Sequence, residues 1–278
     1  MKRLFYILSL SLFFTACSTW QHFAKNEWSE DEFVIYASKD KQSVNFNDFI
    51  ELLNTYDIIL LGEKHDEKAH HWAQYTIIKA LNQKAELNIV FEMLSTDKQG
   101  KIDKAKMMKE QIKTSDLSKV IDWEKGWKYE DYQAIVELAF YGDMKLSAGN
   151  ISREEIKTIY KGAQQLNGFV STQDEVKEMI KNIISTAHKV DTNESKNLEL
   201  LDKLVQIQQY KDRRMADILT QSKEKAVLIA GRYHADKRIG VPLHIQDYKS
   251  FKKVLVVAFS SDKKDLEFKE ADYIWLFK

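Results

Sequence analysis

Four short apolar runs in this sequence each end in side chains able to carry chemistry. Ile58–Leu61 leads into Gly62-Glu63-Lys64-His65-Asp66, Ile89–Phe91 into Glu92, Leu146–Ala148 into Gly149-Asn150, and Val227–Ala230 into Gly231-Arg232-Tyr233-His234. In an open parallel sheet, ligands bind outside the carboxyl ends of the strands. Glu63, His65, Glu92 and His234 delivered to one edge would make a general acid–base set, or a divalent-metal site for hydrolysis. Read without function, the glutamates and Asn150 are helix caps and the histidines are satisfied loop residues.

Spacing narrows the chemistry. A zinc helix needs two histidines four apart on one face. From His65 the gaps to His70 and His71 are five and six residues, roughly 140° and 240° around a helix. Asp66 is the expected cap of a helix running to about Lys84, with His65 in the loop and at most one of His70 and His71 facing a pocket. Phosphate-binding glycine loops and the Gly-x-Ser-x-Gly elbow do not occur. A second dense segment, Trp123-Glu124-Lys125-Gly126-Trp127-Lys128-Tyr129-Glu130-Asp131-Tyr132, opens a helical pattern. Its aromatics serve either as core anchors or as a flat wall with a phenol able to ligate ferric iron.

The elements that position these residues are legible. Compact β-branched runs at Ile58–Leu61, Ile89–Phe91, Lys145–Ala148, Val227–Ala230, Val254–Val257 and Tyr273–Phe277 alternate with helical periodicity, which predicts an α/β fold whose mostly parallel sheet is flanked by helices. Residues 152–221 carry no strand signal and read as a helical insertion, leaving 31–151 and 222–278 as the α/β domain. Another polar helical stretch covers Asp97 to Asp116.

The amino terminus predicts an address. Lys2 and Arg3 precede an apolar run, Leu4–Phe14, closed by Thr15-Ala16-Cys17. That is the form of a signal peptide over 1–16, and its cut falls before the chain's single cysteine, as in a bacterial lipobox. Cys17 is then the lipidated residue at the head of a polar tether over 17–30, since two acyl chains suffice for stable anchoring. The segment removed holds two basic residues and no acid, so 40 basic and 42 acidic residues remain. That balance gives no clustered basic face for nucleic acid. With its one cysteine committed, the mature protein has no intrachain disulfide or thiolate metal site, and any metal falls to His, Tyr, Asp or Glu.

The same segments carry a family resemblance. Leu60-Leu61-Gly62-Glu63-Lys64-His65-Asp66 with His71, Phe91-Glu92-Met93, Trp127 with Tyr132, Lys211-Asp212 with Met215-Ala216, and Gly231-x-x-His234 with Gly240-Val241-Pro242 resemble the ChaN family of bacterial haem-binding lipoproteins. That family is distantly similar to the Tiki/TraB and erythromycin-esterase-like group. The resemblance spans roughly residues 58 to 242, with Arg232 and Tyr233 standing where the family has small residues, and with a different charge pattern after Met215. It implies a haem-binding lipoprotein of the cell envelope, at the outer membrane, serving haem and iron uptake beside a receptor or transporter. It implies a homodimer enclosing two stacked haems, each iron bound by a tyrosine, with propionates held by histidine and lysine. By position Tyr132 is the best-matched ligand, then Tyr129, with Tyr210 more distant. His65, His71 and His234 are the expected propionate donors, and Lys64 or Lys211 the expected cations. A phenolate favours ferric over ferrous iron, which suits carriage of haem. The alternative reading is hydrolysis by the Glu63, His65, Glu92 and His234 cluster.

Overall fold

The computed structural model describes residues 28–189, 194–265 and 267–278. The signal segment, Cys17 and the tether as far as residue 27 lie outside the described residues. In chain order the elements are β1 (Phe33–Ala37), β2 (Ser43–Val44), α1 (Phe46–Leu53), β3 (Ile58–Glu63), α2 (Lys68–Asn82), β4 (Leu87–Ser95), α3 (Gln99–Met107), α4 (Leu117–Val120), α5 (Tyr129–Tyr141), β5 (Lys145–Asn150), α6 (Arg153–Tyr160), α7 (Asp174–His188), α8 (Ser195–Gln221), β6 (Lys225–Gly231), α9 (Arg232–Ala235), α10 (Val241–Asp247), β7 (Val254–Ser260) and β8 (Tyr273–Phe277).

The eight strands form one sheet in the order β2-β1-β8-β7-β3-β6-β4-β5. All neighbours from β8 to β5 run parallel; β1 and β2 are antiparallel additions at the edge. Each of the six strands expected from the sequence is present, while β1 and β2 were not expected.

Continuous apolar runs mark strands covered on both faces, and β3 shows why. Alternation along a strand sends Ile59 and Leu61 into the layer shared with α2 and α5, and Ile58 and Leu60 into the layer shared with α8 and α10. All six β3 residues are buried. In β4, Ile89 and Phe91 take the first face and Val90 the second. This parity matters at the strand ends, because it sends Glu63 toward the α2–α5 layer and Glu92 toward α8 and α9.

The segment between β5 and β6 holds α6, α7 and α8. Ser152 caps α6 in a reciprocal box with Glu155, as a serine three residues before a glutamate predicts. Helix α8 also delivers the chain to β6: Met215, Ala216 and Leu219 in its second half pack on the sheet, while Val205 near its middle packs on Val176 and Ile180 of α7. The polar stretch Asp97–Asp116 contributes α3 and short 3-10 turns.

Candidate functional site

The site lies at the carboxyl edge of β3, β4 and β6, where register sets Glu63 beside Gly231. Glu63 is fully buried and collects three partners. Its Oε1 accepts the Tyr132 hydroxyl at 2.6 Å and the His65 Nδ1–H at 2.8 Å. His71 Nε2 lies 3.1 Å from Oε2, without the alignment of a hydrogen bond. Burial by itself would raise this carboxyl; the His65 hydrogen bond and the closeness of His71 outweigh it and hold the group down at about 2.

Glu92 repeats the arrangement on the other face. Its Oε1 lies 3.2 Å from His234 Nε2 and its Oε2 accepts the Gly231 N–H at 2.8 Å. Burial again opposes ionisation, but the His234 and His65 imidazoles and the Gly231 amide keep the carboxyl well below its ordinary range. His234 donates from Nδ1 to Asp212 Oδ1 at 2.5 Å. Against burial, the charges of Glu92 and Asp212 push His234 up to about 10. Burial raises Asp212 to about 6, with His234 opposing.

His65 joins the two halves. Its Nδ1 faces Glu63, and its Nε2 lies 3.8 Å from Glu92 Oε2. A continuous chain of alternating carboxylates and imidazoles therefore runs His71–Glu63–His65–Glu92–His234–Asp212 over the strand ends. Its members are almost wholly buried except the His65 side chain, which is 33% exposed and packs against Trp127 with ring centroids 4.5 Å apart. Burial opposes its protonation, but the Glu63 hydrogen bond and the Glu92 charge raise it. Gly231 leaves room for the His65 ring: a Cβ at that position would stand 2.6 Å from His65 Nε2, so the imidazole would have to shift.

Local structure explains the placement. Helix α2 begins at Lys68 with Glu67 as its cap residue, not Asp66, and ends at Asn82, short of Lys84. Of the adjacent pair, His71 joins the cluster. His70 instead accepts the Lys64 backbone N–H at 3.0 Å, bracing the loop that carries His65. Trp127 is placed by the strap before α5, in which Trp123 Nε1 donates to the Trp127 carbonyl at 2.9 Å and Glu124 receives Ser95 Oγ at 2.8 Å.

Several expected site residues fall elsewhere. Asn150 holds backbone, donating to the Glu92 carbonyl at 2.9 Å, and takes no part in the chain. Lys64 points outward and pairs with Glu67 at 2.9 Å. Tyr132 is 1% exposed, and burial, followed by the Glu63 charge, drives its phenol far above the usual range. The Tyr129 hydroxyl is buried without a hydrogen-bond partner, and burial raises it too. Tyr210 donates to the Gln164 carbonyl at 2.5 Å. In this packing both hydroxyls, of Tyr132 and of Tyr129, are enclosed. Tyr233, next to His234, is 51% exposed and makes no hydrogen bond through its hydroxyl among the described residues. The groups at this edge that a ferric haem could use are the solvent-open ones, the half-exposed His65 against Trp127 with exposed Lys64 and Tyr233, since the rest of the acid–imidazole chain is buried. Sequence spacing missed the part played by Asp212, which lies far from His234 along the chain and meets it only because α8 returns across the strand ends.

The molecule is an α/β protein with a mostly parallel sheet and a buried acid–imidazole chain at the carboxyl edge of its strands. Residues 49–245 match the family described as haem-binding uptake, Tiki superfamily, ChaN, and the chain belongs to that family. Among solved structures it is similar to ChaN of Campylobacter jejuni, described as binding haem cofacially, with 45% identity over 88% of this chain and 97% of that one and a TM-score of 0.84. A MARTX toxin effector domain of Vibrio vulnificus matches at 15% identity, 78% and 36% coverage and TM-score 0.45. The erythromycin esterase EreC matches at 11% identity, 82% and 76% coverage and TM-score 0.45. Neither of these two distant matches carries an argument about this site. No match was found among curated protein sequences.

Proposed function

We propose that this protein carries ferric haem at the rim of the carboxylate–imidazole chain, as a pair enclosed between two copies of the chain, in service of haem and iron uptake. The observation that carries the reading is the His65–Trp127 face, the one part of a buried ionic cluster open to solvent, in a chain similar along its length to a cofacial haem binder. His65 and Lys64 are the donors within reach of propionates. His71 and His234 stand behind them and hold the glutamates charged, and those charges favour the protonated form of His65, which attracts an anion. Tyr233 is the phenol left free at this edge, and it is the iron ligand we assign; Tyr132 serves only after leaving Glu63. Cys17 carries the acyl chains that tether the protein to the envelope, at the outer membrane, where a haem receptor or transporter is the expected partner.

Titration of the chain from residue 18 with ferric haem tests this. Saturation at one haem per chain, a phenolate-type ferric spectrum and a shift of mass to the dimer are expected. Tyr233→Phe should abolish the phenolate band while Tyr132→Phe leaves it. Loss of the band in Tyr132→Phe alone would return the assignment to the buried phenol, and absence of saturable uptake would overturn the haem reading. In that case hydrolysis by Glu63, His65, Glu92 and His234 becomes the better account, favoured by the continuity of the acid–imidazole chain. Among the described residues, no three His, Cys, Asp or Glu side chains are arranged to hold a metal ion.

A further inference from the structure

The amino edge of the sheet, opposite the haem rim, carries a feature the proposed function does not use. The turn between α10 and β7 reads Tyr248-Lys249-Ser250-Phe251-Lys252-Lys253. Phe251 is 104% exposed, more open than any other large apolar side chain among the described residues. A fully exposed phenylalanine ring leaves its apolar area in water, and removing that area from water is favourable.

The turn is built to hold that ring out. Lys249 adopts the left-handed backbone region at φ 51°, which is disfavoured for a residue with a Cβ, and its N–H bonds the Gln246 carbonyl at 2.9 Å. At the other end Asp57 Oδ2 accepts the Lys253 N–H at 2.7 Å, while the Asp57 and Ile58 amides donate back to the Lys253 carbonyl at 3.0 Å. Lys252 Nζ is bonded to the Ser222 carbonyl at the end of α8. The tip between these anchors is therefore preorganised. Lys249 and Lys253 are exposed and make no ion pair among the described residues. The two acids in the adjoining groove of about 670 Å³, Asp57 and Asp217, are already engaged by the Lys253 amide and by Gln221.

We propose that this turn is a membrane-contact point for an anionic phospholipid surface, with Phe251 entering the headgroup–acyl boundary and Lys249 and Lys253 meeting lipid phosphates. Aromatic side chains beside lysines are the composition that lies at such interfaces, and cations near an anionic leaflet are drawn to it. In its orientation the proposal rests on the tether reading. Trp28, the first described residue, packs on Phe277 at the carboxyl edge, with ring centroids 5.7 Å apart. Ten residues, eleven Cα steps, lie between it and Cys17, a maximum extended reach of about 36–40 Å, and a seven-residue strand such as β7 is about 23 Å long. The tether is long enough to let the amino edge rest on the bilayer. The haem rim then faces away from the membrane, open to a second copy.

The chain from residue 18, which contains every described element and no acyl group, is mixed with vesicles of phosphatidylcholine with and without phosphatidylglycerol, and floated. Binding to the anionic vesicles that weakens with salt is expected. It should fall at least about tenfold in Phe251→Ser and about fivefold in each of Lys249→Gln and Lys253→Gln. Haem titration should be unchanged in all three, so a failure of the haem reading and of this one are separately visible. Equal partition of Phe251→Ser and the unsubstituted chain, or equal binding to both vesicle types, would overturn the proposal. Self-association lost in Phe251→Ser without vesicle binding would assign the turn to a second copy and overturn it equally.

Discussion

Glu63→Gln isolates the energetics of the buried chain. In the fold this carboxyl sits at about 2, against an ordinary value of about 4.5. That difference is worth about 3 kcal/mol at neutral pH. Glutamine keeps the shape and one acceptor but cannot carry the charge that His65 and His71 face, so most of this contribution is lost. For a chain of this size a loss of about 3 kcal/mol lowers the unfolding midpoint by about 6–12 °C. Because the folded value lies below the unfolded one, the stabilisation is fully present above about 4.5 and is lost as pH falls toward 2. The gap between the unsubstituted chain and Glu63→Gln should therefore be full near neutrality and should close in acid. Denaturant unfolding of both proteins, repeated from neutral pH down to about 3, measures it. A gap under about 1 kcal/mol at neutral pH, or one that stays constant into acid, would refute the claim that Glu63 is held as a buried, stabilising anion.

Three further outcomes follow from the same geometry. His234 is raised to about 10, so its contribution is complete below about 6.5 and disappears as pH rises through 10; alkaline unfolding should show this limb, on the order of a few kcal/mol, and His234→Gln should lack it. A Cβ at Gly149 would stand 2.8 Å from the Phe91 carbonyl oxygen, where strand backbone cannot yield, whereas one at Gly126 meets nothing within 4 Å; Gly149→Ala should cost about 1–3 kcal/mol in denaturant unfolding and Gly126→Ala close to nothing. Gly231→Ala pushes a methyl group toward His65 Nε2, so haem affinity should fall at least about tenfold with the fold retained by circular dichroism; unchanged affinity would remove His65 from the haem rim.

How much of this was legible beforehand depended on the range of the interactions. Strands β3, β4, β5, β6, β7 and β8 announced themselves because strands covered on both faces carry compact, mainly apolar runs, and six such runs separated by helical periodicity point to a parallel sheet. The arrival of Glu63, Glu92 and His234 at strand ends is likewise a local pattern. Strands β1 and β2 were not legible: they are short additions at the edge, β1 pairing with β8 at the far end of the chain and β2 only with β1. Only the tertiary structure decided which side chains act together. Strand parity sends Glu63 and Glu92 to opposite faces, so His71 with Tyr132 and His234 with Asp212 form separate halves that only His65 can join. No spacing along the chain encodes that α8 brings Asp212 to His234, or that packing seals Tyr132 inside while leaving Tyr233 outside. Residue types fix what chemistry is available; which of them meet, and which meet water, is set by how distant elements pack.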